Sequence, residues 1–559
     1  MLKSLFLLTL AAMPLSALSQ LPDGGVAVPI RSQAANDAKA SAWFSASVKK
    51  AGLSTDVITE KPEGEEHTRC VRSGFGINQE RGSYGFYDYL SGSYVKDSEG
   101  NVYVYNPIAL FPTYSYIKLE PLQGDTLVCR TPQPIVNIYG DVYYATRLRA
   151  DVNESGLAYL IDVPEGASEP NYDIKFILRN DSLFQVPEEL LTYPGTSIQF
   201  PSVILGLTDS QGMWLQSGEA NCSLVPPPGE PTQLPAGVKS EPYNLFSFDS
   251  DNQYTVRHST ELAISGNDIY MTNPYGPDTL QWIHGTLSNG KVTFRPQYIG
   301  VDTRSNLHLS FLPATYVTQQ NPDGTIGYLY SKADELVFDF DAEAKTLSTD
   351  STAAVAALIN GGLDMVNAIT GYRNPRLSPF PAQAATPSDP VIVMLQAYSE
   401  DLGTGMVSFD FYPLDTDGKA LPTTRLFYNL YLDDELLTVG PPDYNNVQTP
   451  FTNIASNYAD NEYFFTSQEV HNVYLTRSFD KVGVQVLYRY GDQWYKSKLV
   501  SKTLDETNSI SGPTGKTETP VAQTWYDLSG RRVSNPAKGL YLKVSHYADG
   551  SVKTEKVMR

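Results

Sequence analysis

From about Arg69 to Leu504 the chain alternates apolar and polar residues over short runs, and Gly, Pro, Asn or Asp closes most of them. "MVSFDF" (Met406 to Phe411) is typical, with every second side chain apolar. Period-2 alternation places one set of side chains on each face of an extended segment, so these runs predict half-buried β-strands. Two stretches lack the alternation. Gln33 to Gly52 is Ala-rich with few turn residues and predicts a short helix. Ser351 to Ile369 (STAAVAALINGGLDMVNAI) reads as a second helix, broken near Gly361-Gly362.

An internal repeat organises the first half. "NVYVYNP" (Asn101 to Pro107) recurs as "DIYMTNP" (Asp268 to Pro274), and Tyr116 to Ile135 recurs as Trp282 to Ile299. The offset drifts only from 167 to 164 residues. In the second copy Asn289-Gly290 lies between Ile283 and Val292, a strong hairpin signal. Gln123-Gly124-Asp125 occupies the same turn in the first copy. Later apolar strands, Tyr172 to Leu178 and Asp334 to Asp341, close each copy. These features predict a mainly β protein of tandem antiparallel β-sandwich-like domains, with two internal repeats at 67–225 and 243–374.

Proline marks the joints. Pro226 to Pro242 holds six prolines in seventeen residues, and a second proline-rich stretch covers 375–390. Both predict extended connections, because proline removes the donors a sheet needs. A third sandwich is expected over 391–504, a flexible linker over 505–524 and a three-stranded module over 525–559. Ahead of the first repeat, 20–66 reads as a helical and linker segment, exposed from Glu60 to Glu66.

Charge and composition narrow the function classes. The net charge of −21 disfavours nucleic acid and anionic lipid, whose binding relies on Lys and Arg. The tail inverts the sign: from Trp525 to Arg559 seven basic and three acidic residues leave +4. Thirty-seven tyrosines favour β-structure. Residues 1–19 combine Lys3, an apolar run from Leu5 to Met13 and a small-residue site at Ala17-Leu18-Ser19, the pattern of a secretory signal peptide. After it, no apolar stretch is long enough for a transmembrane segment. Three cysteines, Cys70, Cys129 and Cys222, at long spacings are not a disulfide framework and read as buried thiols.

Candidate chemistry is sparse. The six histidines lack zinc spacing, and no nucleophile elbow, phosphate loop or CxxC occurs, so no cofactor, metal or catalytic residue is assigned. Asp415-Thr416-Asp417-Gly418 is better explained as a hairpin turn than as a calcium loop. Asp339, Asp341 and Glu343 read as a solvated strand end. Glycosidases hold two carboxylates about 5 to 9 Å apart; Glu219, in "WLQSGEANCS" with Trp214, is the carboxylate to inspect, its plainer reading being a polar turn after a strand. Tyr84, Phe86, Tyr87 and Tyr89 form an aromatic cluster in "YGFYDYLSGSY". Aromatic rings stack on sugar faces and anchor interfaces, so outward-facing members are candidate binding residues, while alternation sends about half of the cluster inward.

The tail "YDLSGRRV" followed by "KGLYL" and a basic strand resembles the C-terminal sorting domain of type IX secretion substrates of Gram-negative bacteria. The resemblance rests on Tyr526, Asp527, Leu528, Gly530, Arg531, Val533, Lys538, Gly539 and Tyr541, in a segment about half the usual length of such domains. It implies a partnership with secretion machinery and a secreted or cell-surface location. "YNLYLDDELL" and "VGVQVLYRYGDQWYKSKL" resemble central and late strands of fibronectin type III modules. The two-repeat body is similar to uncharacterised extracellular proteins that carry such tails. Three functions stay open: a non-catalytic binding or adhesion component recognising glycan or protein, a secreted polysaccharide-degrading hydrolase, and a structural surface-layer component.

Overall fold

The computed structural model describes residues 38–50, 56–78, 83–138, 140–153, 156–248, 253–272, 281–302, 306–321, 324, 326–349, 353–358, 368–400, 403–444, 447, 450–460, 463–467, 470–504, 522–526, 533, 540–546 and 552–558. Residues 1–19, the expected signal segment, lie outside them. Among the described residues no helix is long and apolar enough to cross a membrane.

Helix α1 spans Ala38–Lys50, as the Ala-rich stretch predicts. The first repeat then runs β1 (Glu65–Asn78), β2 (Ser83–Lys96), β3 (Val102–Tyr105), β4 (Tyr116–Gln123), β5 (Thr126–Arg130), β6 (Gln133–Ile138) and β7 (Asp141–Asn153). It continues with β8 (Gly156–Ile161), β9 (Asp173–Arg179), β10 (Ser182–Gln185), β11 (Leu190–Thr192), β12 (Gln199–Pro201), β13 (Val203–Thr208) and β14 (Trp214–Val225). The second repeat contains β15 (Glu241–Phe248), β16 (Tyr254–Ser265), β17 (Asp268–Thr272), β18 (Trp282–Ser288), β19 (Lys291–Phe294) and β20 (Gln297–Asp302). Its later strands are β21 (Leu307–Gln320), β22 (Ile326–Lys332), β23 (Leu336–Asp341), β24 (Thr346–Thr349), β25 (Ala353–Leu358) and β26 (Ala368–Pro379).

The two repeats are wired identically. In the first, antiparallel pairing passes from β1 through β2, β3, β4, β5, β9, β10 and β14 and returns to β1. In the second it passes from β15 through β16, β17, β18, β19, β23, β24 and β26 and returns to β15. Each tandem sandwich-like unit is thus a closed ring of eight strands, which leaves no bare edge within it. Side strands match too: β7 pairs with β6, β8 and β13, and β21 pairs with β20, β22 and β25. Even a bulge recurs. Ser73↔Ser223 steps to Phe75↔Ala220, and Phe246↔Arg376 steps to Phe248↔Arg373. The Asn289-Gly290 hairpin forms with both residues at positive φ, as a two-residue turn needs.

The predicted helix at Ser351 to Ile369 is overturned. Ala353–Leu358 is strand β25, held between β21 and β26, and β26 begins at Ala368. Alanine's helix propensity is worth only tenths of a kcal/mol per residue, whereas two flanking strands supply hydrogen bonds on both edges. Its counterpart β13, "VILGLT", is overtly strand-like. Glu65 and Glu66 of the expected linker already belong to β1.

Ring interiors hold the cores. Val104, Ile117, Leu119, Leu127, Ile174 and Leu224 fill the first, and Leu245, Ile283, Val292, Phe294, Phe338 and Leu377 fill the second. The first repeat has another core outside its ring, where Ala40 and Phe44 of α1 and Phe200 of β12 cover Phe75, Leu157, Tyr159 and Ala220. All three cysteines are buried and free.

The third unit is a two-sheet sandwich. One sheet orders β27 (Val391–Ser399), β28 (Thr404–Asp410), β33 (Val470–Leu475) and β32 (Phe464–Ser467). The other orders β30 (Glu435–Leu436), β29 (Leu426–Leu432), β34 (Lys481–Tyr490) and β35 (Gln493–Lys496), with β31 (Ile454–Ala455) on β29 and β36 (Val500–Thr503) on β34. Asp433 and Asp434 make the expected turn, both at positive φ. Asp415 likewise closes a hairpin turn, its Oδ1 accepting from the amides of Asp417 and Lys419.

The units are joined by specific contacts. Leu90 of β2 pairs with Leu307 of β21, and Nε2 of the buried His308 lies 3.2 Å from the carbonyl of Cys70 in the first repeat. At the next joint Glu261 of β16 accepts from Thr424 Oγ1 (2.8 Å), Arg425 Nε (3.0 Å) and Arg425 Nη2 (2.8 Å). Equivalent strands, β2 and β16, therefore meet the following unit.

Candidate binding surface

Glu219 lies inside β14 rather than in a turn, and it is 1% exposed. Its Oε1 accepts from Arg72 Nε at 3.0 Å and from the Tyr87 hydroxyl at 2.5 Å. Its Oε2 accepts from Arg72 Nη2 at 2.5 Å and from the Ala109 amide at 2.6 Å. Arg72 also donates to the carbonyls of Asn106 (2.6 Å) and Pro107 (3.0 Å). The cluster thus ties β1, β2 and β14 to the loop after β3. Burial, and next the Glu219 charge, hold the Tyr87 hydroxyl and the Cys222 thiol well above their usual pKa values. The adjoining cavity, about 10 Å³ and lined by Arg72, Gln185, Glu219 and Cys222 among apolar neighbours, has room for no more than one water molecule. With both oxygens occupied and no route for a sugar, Glu219 is a structural anchor for that loop, unsuited to acid–base work.

Trp214 is buried as well, its Nε1 donating to the Ser217 carbonyl at 3.0 Å. The aromatic cluster splits as alternation requires: Tyr87 faces inward, while Phe86 is 61% exposed and packs edge-on against Phe75. Tyr84 and Tyr89 occupy β2, and their side chains lie outside the described residues. Among the described side chains, therefore, only Phe86 of the candidates is exposed. Asp339 pairs with Lys291, and Asp341 Oδ1 accepts from the Glu343 and Ala344 amides, a solvated strand end as expected. Among the described residues no three His, Cys, Asp or Glu gather in a metal-binding arrangement.

A partly exposed aromatic face occurs in the second repeat, around the buried Arg373. Register fixes the correspondence between the repeats. Phe248 stands where Phe75 stands, and Arg373 stands at Ala220. Tyr316↔Tyr330 and Thr318↔Tyr328 match Ala150↔Tyr159 and Val152↔Leu157. The face that α1 covers in the first repeat is here lined by Tyr316, Tyr328 and Tyr330, all half-buried. The Arg373 guanidinium lies 3.6 Å over the Tyr328 ring and 5.6 Å over Tyr316. Beyond Phe248, Tyr254 is 43% exposed, with ring centroids 4.5 Å apart, and Arg376 approaches the Tyr254 ring at 5.9 Å. The offset between repeats drifts from 173 at β1 to 153 at β14, which hides this correspondence in a linear reading.

The tail forms its own sheet of β37 (Ala522–Tyr526), β38 (Leu540–His546) and β39 (Val552–Met558), with no strand paired to the sandwich. Val544 packs on Val393 and Val470, on the sheet of β27 and β33. Of the sorting-motif positions, Tyr526 ends β37, Tyr541 lies in β38, and the Val533 amide donates to the Trp525 carbonyl at 2.7 Å. Asp527, Leu528, Gly530, Arg531, Lys538 and Gly539 lie outside the described residues.

No protein-family model matches the chain, and no curated protein does.

Proposed function

We propose that the chain is a secreted or cell-surface binding component of a Gram-negative bacterium, delivered by its signal segment and its C-terminal module. The observation that carries the reading is the aromatic face of the second repeat, which no helix among the described residues covers. An identical framework buries that face in the first repeat, so the fold itself does not call for exposed tyrosines there. The hydrolase reading loses its one candidate, because Glu219 is committed to Arg72. A purely structural component gives no reason for the face to be bare.

The tail suits a handle. It is a small sheet of low independent stability, resting on its neighbour through a few apolar side chains. The strand order of the third unit supports a fibronectin type III-like spacer between the binding repeats and that handle. The test is delivery in a host with the type IX route, comparing the full chain with one ending at Leu504. The full chain is expected to become accessible to external protease and the shortened one to remain periplasmic. Equal accessibility of both would overturn the proposal.

A further inference from the structure

We infer that the aromatic face of the second repeat binds an acidic polysaccharide, one whose sugars carry carboxylate or sulfate groups. The inference rests on the binding role proposed above and adds the ligand class and the residues.

Three features converge. Tyr254, Tyr316, Tyr328 and Tyr330 present half-buried to exposed rings along one sheet face, and such rings bury the apolar faces of sugars; the Tyr316 hydroxyl is itself tied down, donating to Asn374 Oδ1 at 2.6 Å. The same face carries the exposed Arg376 and the buried Arg373, while Arg257 of β16 reaches to the buried Ser247. Among the described residues neither Arg257 nor Arg376 has a carboxylate partner, although acids outnumber bases by 21 in this chain. Arg257 donates only to Ser247 Oγ (2.5 Å) and to the Phe248 carbonyl (2.7 Å). The exposed Arg376 beside the Tyr254 ring, without a carboxylate partner on an acidic protein, is complementary to an anionic ligand that also offers flat apolar surface. Guanidinium pairs with carboxylate or sulfate through two parallel hydrogen bonds, which a neutral glycan cannot return.

The repeat comparison sharpens the point. The first-repeat counterparts of Arg373 and Arg376 are Ala220 and Ser223, and those of Tyr316 and Tyr328 are Ala150 and Leu157. Two rings and two cations are thus particular to the second repeat, whereas Tyr330 and Tyr254 keep the aromatic character of Tyr159 and Phe86.

The experiment measures binding of the full chain to polygalacturonate, chondroitin sulfate and neutral dextran at low and high salt. Arg376→Ala and Tyr254→Ala are the test variants, because both side chains are exposed and the fold does not rest on them. Phe86→Ala, at the position in the first repeat that corresponds to Tyr254, is the control. Binding to at least one acidic polymer and not to dextran is expected, weakened about tenfold by either test variant and by high salt, and unchanged in the control. Equal binding of dextran, or test variants that bind like the parent, would overturn the inference. So would binding of poly-glutamate at the same residues in place of either polymer, which would assign the face to acidic peptides. Failure to bind any polymer by a chain that still reaches the cell surface would reject the ligand class and leave the delivery proposal standing.

Discussion

Replacing Glu219 by glutamine keeps the side chain's shape but removes its charge, leaving the Arg72 guanidinium buried without a counter-ion. Both side chains are 2% exposed, and their closest atoms are 2.5 Å apart. At an effective dielectric of about 20 and a charge separation of about 4 Å, the lost attraction is about 4 kcal/mol. Breaking buried pairs in this way costs about 3–5 kcal/mol. Because the chain has several units, a single melting temperature would blur the effect, and hydrogen exchange resolved by peptide is the better assay. Amides of β1 and β14 that exchange by opening of the first repeat are expected to speed up roughly 100- to 1000-fold. Peptides of β19 and β23 should be unaffected. Arg72→Leu alone should cost a similar amount, and the double variant should cost about as much as either single one, because the second change removes a charge already stranded. Additive costs, or a Glu219→Gln effect under about 1 kcal/mol, would refute the reasoning that the pair acts as one buried unit.

Burial lowers the pKa of His308 and of His471 to about 4, so both imidazoles are neutral in the fold and bind protons more readily when unfolded. Stability should therefore fall as pH drops from about 6.5 to 4, by a few kcal/mol in all, and a urea series over that range should flatten in His308→Gln. Arg425→Ala strands Glu261 at the joint between the second repeat and the sandwich; small-angle scattering should show a broader distribution of shapes, and an unchanged profile would contradict a rigid joint. Val544→Asp removes an apolar contact worth about 2 kcal/mol and buries a charge in its place, so the tail should become cleavable by trypsin while the sandwich stays intact.

The β-class, the repeat and most strand positions were legible because they follow from alternation and turn residues, which act over a few positions. Asn289-Gly290 needs no tertiary information to be a turn, and Asp433-Asp434 is nearly as local. β25 was not legible, since "AAVAAL" carries no preference strong enough to oppose helix, and its conformation is imposed by β21 and β26. Glu219 drew attention as the carboxylate beside a tryptophan. Its partner Arg72 lies 147 residues away, and nothing local to either residue announces the pair. The bare face was hidden for the same reason: Tyr254, Tyr316, Tyr328 and Arg373 come from separate strands, and only ring closure assembles them.

The paired repeats act as a control for each other. A buried charge cluster is not needed to close a ring of this size, because the second repeat closes with Leu245 at the position of Arg72 and Tyr372 at that of Glu219. What the cluster adds in the first repeat is a fixed loop from Tyr105 to Ala109, held by donors and acceptors that apolar residues cannot supply. Ala109 and Leu110 of that loop pack with Tyr87, Leu90 and Leu307, at the seam where the second repeat begins. Arg72 and Glu219 thus stiffen the first repeat where it meets the second. In the second repeat β16, the counterpart of β2, instead turns a carboxylate outward, with Glu261 gripping Arg425. In both places a buried carboxylate–arginine pair stands beside a joint between units, while a third, Arg147–Asp162, lies within the first repeat. An aromatic face on a body joined in this way is presented at a defined angle to the third unit, which a string of flexibly linked domains would not achieve.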